Sequence, residues 1–355
     1  MYKVVMAEQG GFPPRAHMKG GLVNHLYCGV DIAKDTAVFC IAGNGGEPLN
    51  KAATFANTTR GFREALQWIK KSAKPFKPFD IHLAMEASSV YFLAMAKFFQ
   101  AQEGFIVSVV NPAQVKAYGQ ARLVRTKTDG VDALLIARFA KAMNPRPWTP
   151  PAPHEEEMLG IVRHLEVLKE MCQAERGRLH ALQAIGASTA EIQKAVKKHI
   201  KFLEDQMDDL NNRLKKLAKE HPDIEENIKL LCSIPGIGEI TAYTLIVEIG
   251  NIGRFENVKQ LVAYAGLAPA ERQSGTSVRG KVMINKHGSK RLRKSLYMPA
   301  VVAARYNPAV SDLYQRLTAS GKKPICAVVA CMRKLLHIAY GVLKSRKRFE
   351  PQVCC

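Results

Sequence analysis

Apolar positions in the first 150 residues fall into short runs separated by amphipathic stretches. Residues 27–32 (YCGVDI) and 36–42 (TAVFCIA) are β-rich and joined tightly, with a glycine-rich turn at 43–46. Residues 57–71 place Leu66 and Ile69 at helical spacing behind an Asn-Thr-Thr that can cap. Strands are then expected at 81–86 and 105–110, the second stopped by Asn111-Pro112. Helices are expected at 89–101 and from about 128 to 143. Such alternation predicts an α/β layered domain. It ends at a Pro-rich segment, 145–153, that reads as a stiff linker.

Residues 154–220 nearly lose glycine and proline. Ile192, Val196, Ile200, Leu203, Met207, Leu210, Leu214 and Leu217 step mostly by fours and threes, a heptad seam. An earlier helix uses Leu159, Val162, Leu165, Leu168, Leu179 and Leu182, and Ser188-Thr-Ala-Glu191 resembles a capping box before the second. The pair predicts either an intramolecular hairpin or a coiled-coil dimerisation arm. From 224 onward the pattern is helical and basic, with helices near 295–305 and 324–345. The expected division is a leader (1–26), an α/β domain (27–150), a helical segment (151–222), a mainly α domain (223–350) and a tail (351–355).

Charge narrows the function. Fifty-two Lys and Arg face 31 Asp and Glu, a formal net charge of +21. That excess repels itself in a compact state unless a polyanion offsets it, and nucleic acid is the first candidate. An anionic membrane ranks lower, because Lys or Arg interrupts every apolar run of spanning length. Eight cysteines make no C-x-x-C pair. With no apolar signal core in the leader, they read as reduced thiols in a cytoplasmic protein.

Four acids are candidates for chemistry. Asp31 and Glu86 end strands, and Asp129 and Asp132 share one face of a helix's first turn. Singly, each is an ordinary turn, cap or dipole residue. Converging over one sheet edge, they would suit a divalent cation such as Mg²⁺. Ile234-Pro-Gly236-Ile-Gly238 between helices resembles a helix-hairpin-helix turn whose glycines admit a phosphate, or else a plain turn. Residues 271–305 hold nine Lys or Arg and one acid; Arg272, Arg279, Lys281, Lys286, Lys290, Arg291, Arg293 and Lys294 are candidate nucleic-acid contacts, as is Lys127. Ser274 and Ser277 lie in this patch, in what could be a polar loop or a nucleophile's setting.

Order and spacing of G-V-D-I-A-K-D (29–35), F-A-N-T-T (55–59), M-E-A (85–87), V-N-P (110–112), K-T-D-x-V-D-A (127–133), S-I-P-G-I-G-E (233–239), A-G-L-A-P (265–269), S-G-x-S-V-R-G (274–280) and L-Y-M-P-A (296–300) resemble the insertion-sequence-110 family of transposases. The resemblance implies a RuvC-like, ribonuclease-H-type N-terminal domain with Asp31, Glu86, Asp129 and Asp132 as its Mg²⁺ ligands. It implies Ser274 as the nucleophile, with Ser277 the nearby alternative, and a phosphoserine link to cleaved DNA. It further implies a homodimer or homotetramer in which one protomer's metal site meets another's serine domain. A bridge RNA encoded by the element would pair with donor and target DNA, in a prokaryotic, nucleoid-associated setting. The alternative is a metal-dependent, junction-resolving nuclease that uses water.

Overall fold

The computed structural model describes residues 24–43, 45–77, 79–87, 90–123, 128–270, 273–274, 278–279, 283–285 and 288–351. The chain divides into two compact units, Met1–Pro150 and Pro151–Cys355.

In the first unit, β1 (Asn24–Ile32), β2 (Thr36–Ala42), β3 (Ala53–Ala56), β4 (Phe79–Glu86) and β5 (Phe105–Val110) form one sheet in the order β3-β2-β1-β4-β5. β1, β4 and β5 run parallel, while β2 pairs antiparallel with β1 and β3. β1 takes the last three residues assigned above to the leader, and Leu26 is buried there. Strand alternation sorts the side chains between two faces. Leu26, Cys28, Val30, Leu83 and Met85 pack with Phe62 and Ile69 of α1 (Thr59–Ala73) and Met95 and Phe99 of α2 (Phe92–Gln100). On the other face Ala84 and Val110 meet Val115 of α3 (Pro112–Ala121) and Ile136, Phe139 and Ala140 of α4 (Asp129–Met143). A mixed sheet with helices on both faces is compatible with the ribonuclease-H-type expectation.

α3 was not expected: Asn111-Pro112 stops β5 and also starts a helix. The Asn111 side chain accepts from Ala113 N, and Pro112 occupies the first helical position, where no N–H is needed.

The second unit is helical. α5 (Pro153–Ile185) and α6 (Ala190–Glu220) form an antiparallel hairpin, with Arg213 bonded to Glu157 near its base and Arg176 to Glu204 further out. Val196, Ile200, Leu203, Leu214 and Leu217 of the heptad seam are buried, whereas Ile192 is exposed. The two helices pack on each other within the chain. Its turn differs from the expected capping box. The Thr189 hydroxyl donates backwards to Leu182 O and Gly186 O, and Gln193 Nε2 adds bonds to the same carbonyls. α6 begins one residue later than a box capped by Ser188 requires, with Thr189 at its N-cap and its hydroxyl turned back to the orphan carbonyls ending α5.

α7 (Pro222–Cys232), α8 (Glu239–Ile249), α9 (Val258–Tyr264), α10 (Lys290–Tyr306), α11 (Pro308–Ala319) and α12 (Pro324–Ser345) complete the unit. Between α9 and α10 lie two small ladders: β6 (Pro269–Ala270) with β9 (Met283–Ile284), and β7 (Gln273–Ser274) with β8 (Val278–Arg279). α12 is long and apolar enough to cross a membrane by length and composition. Here it is the central helix of a core, with Ala327, Cys331, Leu335, Leu336 and Ala339 fully buried and Arg333-Lys334 interrupting it. Cys28, Cys40, Cys172, Cys232, Cys326 and Cys331 are free thiols.

Candidate active site and nucleic-acid surface

The β1–β4 register pairs Val30 with Met85, so Asp31 and Glu86 follow side by side at the strand ends. Both are half-buried. Gly29 faces α4 so closely that a Cβ there would lie 2.0 Å from Ala133 O, and Asp31, two residues on, shares that face. α4 runs against β1. Its later residue Arg138 donates to Gly46 O, beyond the end of β2 that pairs with the start of β1. Its first turn, carrying Asp129 and Asp132, therefore lies toward Asp31. Thr128 caps it, accepting from Val131 N.

Asp31 and Glu86 thus share one end of one sheet face, and Asp129 and Asp132 occupy the first turn of the helix packed on that face. Among the described residues, no group of three His, Cys, Asp or Glu side chains is gathered closely enough to hold a metal ion. The donor set itself is all carboxylate oxygen, which suits a hard divalent ion rather than a soft one. Lys127 lies outside the described residues.

Sequence reasoning missed Asn57. Its side-chain Nδ2 donates to Ala33 O at 3.0 Å, and at 3.4 Å to Lys34 O and Tyr91 O. One amide thereby joins the turn after Asp31 to the turn after Glu86. The only sequence signal was its place in F-A-N-T-T, where it reads as a helix cap.

In the second unit, residues 233–238 form the turn between α7 and α8. Gly236 has φ +105°, and a Cβ there would lie 2.8 Å from both Ala303 Cβ and Pro299 O. Gly236 therefore has no room for a side chain on the side that packs against α10. Gly238 precedes α8, and a Cβ there would meet no described atom within 4 Å. Glu239, the next residue, pairs with Lys215 at 3.3 Å.

Ser274 lies on β7, opposite Val278, and Arg279 on β8 faces Gln273. Arg272, Ser277, Lys281 and Lys286 lie outside the described residues. The basic residues of α10 divide by partner. Lys294 bonds Glu166 at 2.7 Å and Glu170 at 2.5 Å, and Arg291 pairs with Glu166 at 3.7 Å. These acids, through hydrogen bonds, raise the Lys294 pKa, and Lys294 in turn lowers that of Glu170. Arg293 Nη1 donates to Ala265 O and Gly288 O. Lys290 is exposed. Of the candidate contacts on α10, three are therefore engaged within the protein, two by acids of α5 and one by backbone carbonyls.

Residues 28–185 match a family model described as "Transposase", and residues 228–315 match one described as "Transposase IS116/IS110/IS902 family". A "Pilin gene-inverting protein" of Moraxella bovis is 34% identical over 334 residues, spanning 93% of this chain and 99% of its own. Its Moraxella lacunata namesake is 33% identical, with the same shares covered. "Transposase for insertion sequence element IS1111A" of Coxiella burnetii is 32% identical over 116 residues, 27% of this chain and 31% of its own.

An acid-edged α/β unit joined to a basic helical unit is thus the architecture of a transposase, an enzyme of DNA recombination. The chain belongs to the IS116/IS110/IS902 family of transposases.

Proposed function

We propose that this chain is a site-specific recombinase that cuts and rejoins DNA through a phosphoserine intermediate at Ser274, directed by an RNA that the element encodes. One observation carries the rejoining: the likeness to a protein named for gene inversion extends over 99% of that protein's length. Inversion requires that every broken end be joined again. A covalent intermediate conserves the phosphodiester energy for that step. A nuclease using water would discard it.

In the first half-reaction the Ser274 Oγ bonds to phosphorus and the DNA P–O bond breaks. The serine proton passes to solvent, and the departing DNA oxygen gains one. In the second, a DNA hydroxyl displaces Oγ, which regains its proton, and no water is consumed. Asp31, Glu86, Asp129 and Asp132 would hold Mg²⁺, which neutralises charge developing on the phosphate when bound. Gly238, Lys290, Lys127 and the loop residues Arg272, Arg279, Lys281 and Lys286 would position phosphates. We further propose that the acids and the serine serve one phosphodiester within a homodimer or homotetramer, in which the α5–α6 arm takes part.

Duplex DNA carrying the element's junction and a trapping nick, mixed with RNA transcribed from the element, tests this. Wild-type protein should form covalent adducts and Ser274→Ala none, with DNA binding retained. Adducts that persist in Ser274→Ala but vanish in Ser277→Ala would move the nucleophile to Ser277. Nicking without any adduct would refute the covalent mechanism.

A further inference from the structure

We infer that Arg293 is a positioning residue: it clamps the two roots of the loop that carries Ser274, and so fixes where the serine sits. This rests on Ser274 being the nucleophile.

The chain leaves α9 through Ala265 and Gly266 and returns through Gly288 into α10. Arg293, half-buried in the first turns of α10, reaches both crossings. Its Nη1 donates to Ala265 O at 3.0 Å and to Gly288 O at 2.9 Å. The crossings touch. Gly266 has φ +67°, and a Cβ there would lie 2.3 Å from Arg293 Nη1. A Cβ on Gly288 would lie 2.3 Å from Gly266 N and from Tyr264 O. Only two glycines allow backbones this close.

Two carbonyl oxygens thus point at one place, and a guanidinium answers both with charge-assisted hydrogen bonds, stronger than neutral ones. The clamp continues outward. Leu267 N bonds Val262 O, Ser289 N bonds Tyr264 O and Asn285 N bonds Ala268 O. The β6–β9 ladder follows, then the β7–β8 ladder bearing Ser274. A shift at the roots therefore moves the ends from which the segment bearing Ser274 departs. Lys294 and Arg291, on the same helix, meet carboxylates instead.

The experiment uses full-length protein with the same nicked junction DNA and RNA. Arg293→Ala should lower the rate of adduct formation at saturating DNA about a hundredfold, the scale of a 1 Å misplacement. The half-saturating DNA concentration should not change. Arg293→Lys, keeping charge and donors, should recover about tenfold of the loss. Binding to a random-sequence duplex should keep its salt dependence in both variants.

An Arg293→Ala adduct rate equal to wild type overturns the inference. So does a slope of log K against log salt that falls by about 0.9 with the saturating rate intact, because that marks a phosphate contact. Should Arg293→Ala fail to fold by circular dichroism, Gly288→Ala decides. It forces the roots apart with Arg293 present and should show the same loss of saturating rate, and an unchanged rate overturns the clamp. Ser274→Ala in parallel separates the failures: adducts there remove the nucleophile assignment, not the clamp.

Discussion

Replacing Gly29 by alanine tests how α4 is seated on the sheet. The new methyl group would lie 2.0 Å from Ala133 O and 2.4 Å from Ala137 N, where even tight contacts need 3.0 Å. The helix must retreat by about 1 Å. Neither obstacle is a side chain that could rotate away, so the cost belongs at the upper end of the ~1–3 kcal/mol typical of overpacking. At about 2–4 °C per kcal/mol, a penalty of about 3 kcal/mol lowers the melting temperature by about 6–12 °C. The assay is simple, because the chain's 2 tryptophans are Trp68 and Trp148, both packed in the first unit's core. Thermal unfolding followed by tryptophan fluorescence therefore reports that unit. Because α4 carries Asp129 and Asp132, DNA cleavage at low temperature should fall further than the folded fraction does. A Gly29→Ala melting temperature within a degree of wild type would refute this seating.

Three further outcomes are expected. Glu248 is nearly buried and faces Arg163 at 3.5 Å with neither group hydrogen-bonded across the gap, so Arg163→Met should destabilise by about 3 kcal/mol in urea melts. The double variant Arg163→Met/Glu248→Leu should recover most of that loss. Burial first, then Arg333 and Lys334, depress the pKa of His337, whose Nε2 has no hydrogen-bond partner among the described residues. Between that lowered value and about 6.5, the unfolded chain binds the extra proton, so stability rises with pH across this window. His337→Leu should flatten that rise in denaturant midpoints. Glu166→Gln/Glu170→Gln should release Lys294 and Arg291, steepening the salt dependence of DNA binding by up to about 0.9 per freed cation. In wild type the Glu170 pair stabilises above the unfolded carboxylate pKa of about 4.3 and is lost as pH falls through the lowered folded value.

Some of this was readable from residues alone. β2 and β5 have the bounds that their apolar runs and flanking turns indicate. β3 was missed because Ala53–Ala56 is only four residues and half-exposed, so its pairing with β2 leaves little periodic trace. The acids stood out because strand ends and first helical turns are positions that sequence can locate. That Asp31 and Glu86 share an end of the sheet depends on the parallel β1–β4 register, which no local pattern encodes. Gly236 and Gly238 look alike in sequence, yet one is packed on α10 and the other open. Arg293 is indistinguishable from its basic neighbours until the carbonyls it reaches are known, and one of them lies 28 residues away.

The α5–α6 hairpin is anchored unevenly. Near its base, Met158, Ile161, Leu165, Leu214 and Leu217 are part of the second unit's main core. Beyond that, Leu168, Cys172, Val196, Ile200 and Leu203 form a separate cluster drawn from these two helices alone. Amide protons along either helix should therefore exchange with solvent on two timescales, slow where the core holds them and faster toward the tip. Heat or pulling force should unzip the arm from its free end while the rest of the unit stays folded.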